Sequence, residues 1–203
     1  MRNRLLAEDA NAVRPHGRNA VLHRRVFLGA GLGAMLSGMV SPAFAGWGAG
    51  IFSGLLNAGP RSLTLRSLHT GERLTATYWQ DGTYVEPVLR QLDHLLRDHR
   101  TGDVHPIAPA LMDVLFVVRH RLNSAEAFDV ISGYRSPRTN SALAAESRGV
   151  AKQSMHLEGK AIDVHLPDRT IAALGEAGRS LGLGGVGTYR DFIHFDIGRP
   201  RVW

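Results

Sequence analysis

Between Leu63 and Ile197 the spacing of apolar positions changes period several times, and each change predicts an element. Leu63-Thr64-Leu65-Arg66-Ser67-Leu68 and Leu74-Thr75-Ala76-Thr77-Tyr78-Trp79 are β-prone runs joined by Thr70-Gly71-Glu72, which predicts a hairpin. Asp81-Gly82 marks a turn. From Glu86 to Arg97, Leu89, Leu92, Leu95 and Leu96 fall at helical spacing with charges on the other face. Pro106 and Pro109 open a second helix, with Leu111, Leu115, Val118 and Leu122 along one side. Phe128 to Ile131 reads as a buried strand running into Ser132-Gly133-Tyr134-Arg135-Ser136, and residues 138–155 read as a short helix and loop. Ala161 to Leu166 is a strand, Asp168 is the expected N-cap of a helix through Leu174 to Leu181, Gly182 to Gly187 is a glycine-rich turn, and Phe192 to Ile197 is a last strand. The predicted fold class is α+β: a small, mostly antiparallel sheet with helices packed on one face and any site on the open face.

Residues 1–45 do not belong to that pattern. They show a basic start, an uncharged apolar stretch from Val26 to Val40, and Ala43-Phe44-Ala45 as an A-x-A exit, the three parts of an export signal. Arg24-Arg25 just before the apolar stretch resembles a twin-arginine signal, which takes folded proteins across the bacterial inner membrane; an ordinary secretory signal with a chance Arg-Arg is the alternative. The apolar stretch includes four glycines and a serine and is shorter than the about 20 residues of a span, so cleavage is favoured over an uncleaved anchor. The expected organisation is a cleaved signal (1–45), a flexible Gly-rich lead-in (46–60) and one folded domain (61–203), located in the periplasm with no stable membrane span after cleavage.

That division alters the charge argument. The chain carries a net +6, but residues 1–45 hold six arginines against two acids, so only +2 remains beyond them. No stripe of interleaved aromatic and basic residues accompanies it, and a nucleic-acid partner is not expected. There are no cysteines, which excludes disulfides and thiolate metal sites; a metal here relies on His and carboxylates.

Strand alternation then brings candidate ligands together. Asp163 and His165 share one face of their strand, and His194 and Asp196 share one face of theirs, with Ile162, Val164, Ile193 and Phe195 on the backs. If the strands are neighbours, their polar faces form one floor, and His156 in the loop before Ala161 folds over it. A lone histidine is more often a surface or hydrogen-bonded residue than a ligand; two His and a carboxylate that converge favour a hydrolytic zinc site. Such a metal lowers the pKa of its water, and a spare carboxylate such as Asp191 can take the proton. Gly159 suits a turn that needs positive φ. Arg135, after a buried strand, is placed to steady an oxyanion or grip a substrate carboxylate, with a surface salt bridge as the plain alternative.

Ser154-x-His156-x-x-Gly159-x-Ala161-x-Asp163 resembles the signature of the zinc D-alanyl-D-alanine peptidases, the group that includes the VanX dipeptidase. Asp191-x-x-His194 and Ser132-Gly133-Tyr134-Arg135-Ser136 match two further elements of that family. Within it the chain is most similar to the exported murein endopeptidases, through the turn at 68–72, Gly184 to Gly187 and Arg201-Val202-Trp203. The resemblance implies that His156, Asp163 and His194 bind Zn2+, that Asp191 is the general base, that Arg135 steadies substrate or oxyanion, and that Ser154 contacts the substrate backbone. Asp196 is the rival for the base or a support for a ligand, and His165 either supports a ligand or lines the groove. The implied substrate is peptidoglycan; hydrolysis of free dipeptides and wall binding without catalysis are the competing readings.

Overall fold

Leu63 and Leu65 point to one side of β1 (Arg61–Ser67) and Ser62, Thr64 and Arg66 to the other, the two-residue period of a strand. The computed structural model describes residues 59–147, 151 and 153–203, and Gly54. The expected signal at 1–45, including Arg24 and Arg25, and most of the 46–60 lead-in lie outside the described residues. Among the described residues no helix is long and apolar enough to cross a membrane.

The hairpin of β1 and β2 (Arg73–Gln80) forms as expected, and the Asp81-Gly82 turn adds β3 (Thr83–Tyr84). The chain continues through α1 (Glu86–Leu95), α2 (Pro109–Arg121), β4 (Phe128–Ser132), α3 (Pro137–Glu146), a 3-10 turn (Met155–Glu158), β5 (Ala161–His165), α4 (Ile171–Arg179), β6 (Gly185–Thr188), β7 (Ile193–Asp196) and β8 (Arg201–Val202). These strands make one sheet in the order β3-β2-β1-β4-β5-β7-β6-β8. The class is α+β, and the sheet is mixed: five of its pairings are antiparallel, while β1–β4 and β6–β8 are parallel.

Register decides what each face carries. Leu65 sits beside Phe128, Val130 beside Val164, Ile162 beside Phe195, and Phe195 beside Val186, so one face is apolar from edge to edge. Helices α1, α2 and α4 pack on the sheet and join these residues in a single core. Truncating a side chain such as Phe195, 1% exposed, costs about 3–5 kcal/mol in such a setting. On the opposite face Arg66 is beside Asp129, Asp129 beside His165, and Asp163 beside His194.

Three expectations change. Helix α2 is buried on all sides from Leu111 to Val118, rather than along one stripe, because it lies between β1 and α4. Its one acid, Asp113, is buried with Arg61 and accepts hydrogen bonds from the Tyr78 and Tyr84 hydroxyls. The cap of α4 is Thr170, whose Oγ1 accepts from Ala173 N–H at 3.1 Å; Asp168 instead accepts from the Ser124 hydroxyl and Arg169. Finally, the Gly182 to Gly187 stretch runs into strand β6 rather than ending as a turn.

Candidate metal centre and active-site cavity

His156 reaches the sheet through a short reversal of the chain. The Ser154 hydroxyl oxygen accepts from the His156 N–H at 3.3 Å and starts the 3-10 turn, and Gly159 ends it at φ 63°. A side chain at 159 would also run into the Pro106 carbonyl, so both conformation and space call for glycine there. The turn lays the imidazole over β5, where Nδ1–H donates to the Gly133 carbonyl at 2.7 Å. A carbonyl only accepts, so this bond fixes the tautomer and leaves the Nε2 lone pair free.

Asp163 and His194 are direct partners across the β5–β7 ladder. His194 donates Nε2–H to Asp196 Oδ2 at 3.0 Å, which frees its Nδ1. The three free donor atoms then converge: His194 Nδ1 is 2.9 Å from Asp163 Oδ1, His156 Nε2 is 3.3 Å from the same oxygen, and the two nitrogens are 3.2 Å apart. Ligand atoms around a tetrahedral zinc, with bonds of about 2.0–2.1 Å, stand about 3.3 Å from one another. The set of two imidazoles and a carboxylate therefore fits such an ion in both chemistry and spacing. Among the described residues no other group of three His, Cys, Asp or Glu side chains is arranged to hold a metal.

The electrostatics suit a cation. Burial pushes the Asp163 carboxyl up, but His156 and His194 outweigh it and hold the group well below the usual carboxylate range. Burial pulls the His194 imidazole down, while its hydrogen bonds to Asp163 and Asp196 prevail and raise it. Asp196 has no exposed surface, and both of its oxygens are occupied. Oδ1 accepts from the Gly185 and Gly198 N–H groups and Arg201, and Oδ2 accepts from His194 and from Arg201 at 2.6 Å. Arg135 lies beside Asp163, with Nη2 3.4 Å from Oδ2 and 3.3 Å from the Ser132 hydroxyl. Its Nε is buried without a hydrogen-bond partner among the described residues.

Arg135, His156, Asp163 and His194 line a cavity of about 430 Å³, together with Ser154, Met155, Tyr189, Phe192, Arg201 and Trp203 among others. Residues 56–203 match the family described as peptidoglycan L,D-endopeptidase MepK. The chain belongs to the MepK family. A relative named peptidoglycan L,D-endopeptidase MepK, from Escherichia coli (strain K12), is 38% identical over 177 residues, 86% of this chain and 92% of its own length. The Haemophilus influenzae protein, named probable peptidoglycan L,D-endopeptidase MepK, is 40% identical over 147 residues, 71% of this chain and 79% of its own.

In this MepK-family chain the sequence-predicted residues fall into two groups. His156, Asp163, His194, Arg135 and Ser154 meet at the cavity. Asp191 does not line it: the carboxylate sits in the loop between β6 and β7, 70% exposed, 2.9 Å from Arg190. His165 occupies the open face one position along β5, opposite Asp129, and is also outside the cavity lining. Arg201 and Trp203 were legible only as part of a family-like ending; their place at the cavity comes from the parallel β6–β8 pairing, which has no local sequence signal. Tyr189 and Phe192, stacked at 4.5 Å, flank Asp191 and carry its loop along the cavity edge.

Proposed function

We propose that this chain is an exported, zinc-dependent murein endopeptidase that hydrolyses peptide bonds between L and D centres in peptidoglycan stems or cross-links. The observation that carries the reading is the convergence of His156 Nε2, Asp163 Oδ1 and His194 Nδ1 at the floor of a cavity, in a chain of the MepK family. The names of the relatives supply the L,D bond class. Export through a twin-arginine signal at 1–45 places the enzyme in the periplasm, where peptidoglycan is the polymer at hand.

His156, Asp163 and His194 would hold the zinc. When bound, the ion acts as a Lewis acid that acidifies water and polarises a carbonyl. The chain's own groups do the rest. Ser154 and Arg135 orient the substrate; the guanidinium, whose pKa burial draws down but which stays charged at neutral pH, stabilises negative charge building on the carbonyl oxygen. Asp191 accepts the proton from water as its oxygen bonds to the carbonyl carbon, and returns that proton to the amine nitrogen as the C–N bond breaks. Asp196 is unsuited to that task because both of its oxygens are already engaged; its role is to orient His194.

Digestion of purified peptidoglycan by the zinc-loaded protein, with products separated by chromatography, tests this reading. New muropeptides produced by cutting at L,D bonds are expected. An undigested wall in the presence of zinc would favour a binding module, and hydrolysis confined to free dipeptides would replace the endopeptidase by a dipeptidase.

A further inference from the structure

Tyr189 lines the cavity with its hydroxyl oxygen engaged and its hydroxyl proton uncommitted. Trp203 Nε1–H donates to that oxygen at 3.1 Å. An indole nitrogen only donates, so the phenol is the acceptor in this bond and its own O–H is turned elsewhere. Among the described residues the hydroxyl has no second partner, and the side chain is 39% exposed.

Both members of this pair are held in place. Tyr189 N–H donates to the Phe192 carbonyl at 3.0 Å and the two rings stack at 4.5 Å, which ties the loop between β6 and β7 to itself. Trp203 is fixed to β6 by its N–H, which donates to the Val186 carbonyl, and by its carbonyl, which accepts from Thr188 N–H at 2.9 Å. Its ring centre is 5.3 Å from that of the His194 imidazole. Gly187, opposite His194 in the ladder, leaves room for it: a Cβ there would come within 2.6 Å of the indole. Arg135, hydrogen-bonded to Asp163 in the same cavity, lies within electrostatic range of the phenol. A donor braced in advance, beside a reacting centre and a second cationic donor, is suited to a carbonyl oxygen that gains charge.

We infer that Tyr189 is a catalytic residue: its O–H donates a hydrogen bond to the carbonyl oxygen of the scissile bond, and that bond strengthens as the oxygen takes up negative charge. This rests on the hydrolase reading and adds a residue to its machinery. As the water oxygen bonds to the carbonyl carbon, the π pair of the C=O moves onto oxygen. The phenol proton stays on Tyr189 throughout, so the only proton transferred is the one Asp191 carries from water to the amine nitrogen. When the C–N bond breaks, the pair returns to the carbonyl and the hydrogen bond relaxes. Trp203 is a positioning residue in this scheme. Its indole N–H orients the phenol and polarises the O–H, which makes the hydroxyl a stronger donor.

Tyr189→Phe in the zinc-loaded full chain tests the inference, because it keeps the ring and its stacking and removes only the hydroxyl. Kinetics on a wall peptide are paired with calorimetry on two probes: the cleaved product peptide, and a phosphinate analogue whose anionic tetrahedral phosphorus replaces the scissile carbonyl. The variant is expected to keep its zinc and KM while kcat falls by about 10²- to 10³-fold, the scale of one lost oxyanion donor. Phosphinate affinity should fall with kcat, and product affinity should hardly move. Trp203→Phe, which loses the indole N–H, should shift both quantities the same way by less. It should add little once Tyr189→Phe is present, since the two act through one hydroxyl. An unchanged kcat, a raised KM alone, or equal weakening of phosphinate and product would overturn the inference and leave Tyr189 as a brace for Trp203. The phosphinate measurement needs no turnover, so a wild type that cleaves no wall peptide would sink the hydrolase reading while that measurement still decides for or against the donor.

Discussion

Asp196 accepts a hydrogen bond from His194 Nε2 at 3.0 Å and is itself gripped by Arg201 at 2.6 Å, on a carboxylate with no surface exposed. Strand alternation explains half of this relationship, since residues two apart in β7 share a face. The other half comes from β8. Burial pushes Asp196 up, yet the bonds from His194, Arg201 and the Gly198 and Gly185 N–H groups hold its carboxyl well below the usual range. It is therefore a fixed anion behind a metal ligand: by accepting the Nε2 proton it selects the tautomer of the neutral imidazole whose Nδ1 lone pair faces the metal position.

Ligands and their supports should separate in a metal titration. His156→Ala and His194→Ala are expected to abolish stoichiometric zinc binding. Asp196→Asn, which keeps the shape but not the charge, should weaken zinc by about 10- to 100-fold and leave the fold intact. Zinc retained at full occupancy by His194→Ala would remove His194 from the ligand set.

Gly159 gives a test of the turn that delivers His156. Its φ of 63° and the nearby Pro106 carbonyl leave no relaxed position for a side chain. Gly159→Ala should lower stability by about 1–3 kcal/mol and weaken zinc as well, because the strain falls on the segment carrying the ligand. Denaturant unfolding and zinc titration measure the two effects; an unchanged midpoint would show that the turn yields without cost.

Much of this site was legible in the sequence, for physical reasons that can be named. The two-residue period of β5 and β7 sorted Asp163 and His194 from Ile162, Val164, Ile193 and Phe195, and the structure pairs the same faces. The 3-10 turn follows from local chemistry at Ser154 and Gly159. What escaped depends on distant partners. The N-cap of α4 is Thr170 because Asp168 is engaged by Ser124, 44 positions earlier in the chain. The two-residue β8 is too short to show a period, so the placing of Trp203 beside His194 and of Arg201 against Asp196 appears only in three dimensions.

Asp98 is another residue with no local signal, and it predicts a pH dependence. It is 1% exposed and accepts from the Ser136 N–H and the Arg100 N–H, each at 2.9 Å, bracing the segment that carries Arg135. Burial raises its pKa, but hydrogen bonds from Thr139, Ser136 and the two N–H groups outweigh it and lower the carboxyl below its ordinary value. A folded value below the unfolded one, about 3.9, means that the contribution is fully present above that pH and is lost as pH falls through the folded value. Asp98→Asn should therefore cost about 1–3 kcal/mol at pH 7 and progressively less below pH about 4. Urea unfolding of both proteins from pH 7 to pH 2.5 checks this; a difference that stays constant over that range would rule out the carboxylate as its source.

Export can be tested without reference to the fold. If residues 1–45 are a cleaved twin-arginine signal, periplasmic protein should have the intact mass of a chain starting at Gly46. Arg24→Lys with Arg25→Lys should keep the protein in the cytoplasm. Normal export of that double variant would assign the signal to the ordinary secretory route.

The general base is decided by comparing Asp191 with Asp196. Asp191 lies three residues before His194, in a loop whose neighbours Tyr189 and Phe192 line the cavity, and among the described residues its side chain is held by an exposed pair with Arg190. Such a pair is worth little, so the carboxylate is free to turn when substrate arrives. Hydrogen bonds of acid–base groups commonly tighten only in the complex, which is why its exposed position does not exclude the role. Asp196 has the opposite character, with both oxygens saturated and no path to substrate. Asp191→Ala is therefore expected to keep zinc and fold while lowering turnover by about 10²- to 10⁴-fold. Asp196→Ala should lose zinc and turnover together. Near-normal turnover in Asp191→Ala, with Asp196→Ala keeping its zinc and losing activity, would transfer the role to Asp196 and require Arg201 to release it during the reaction.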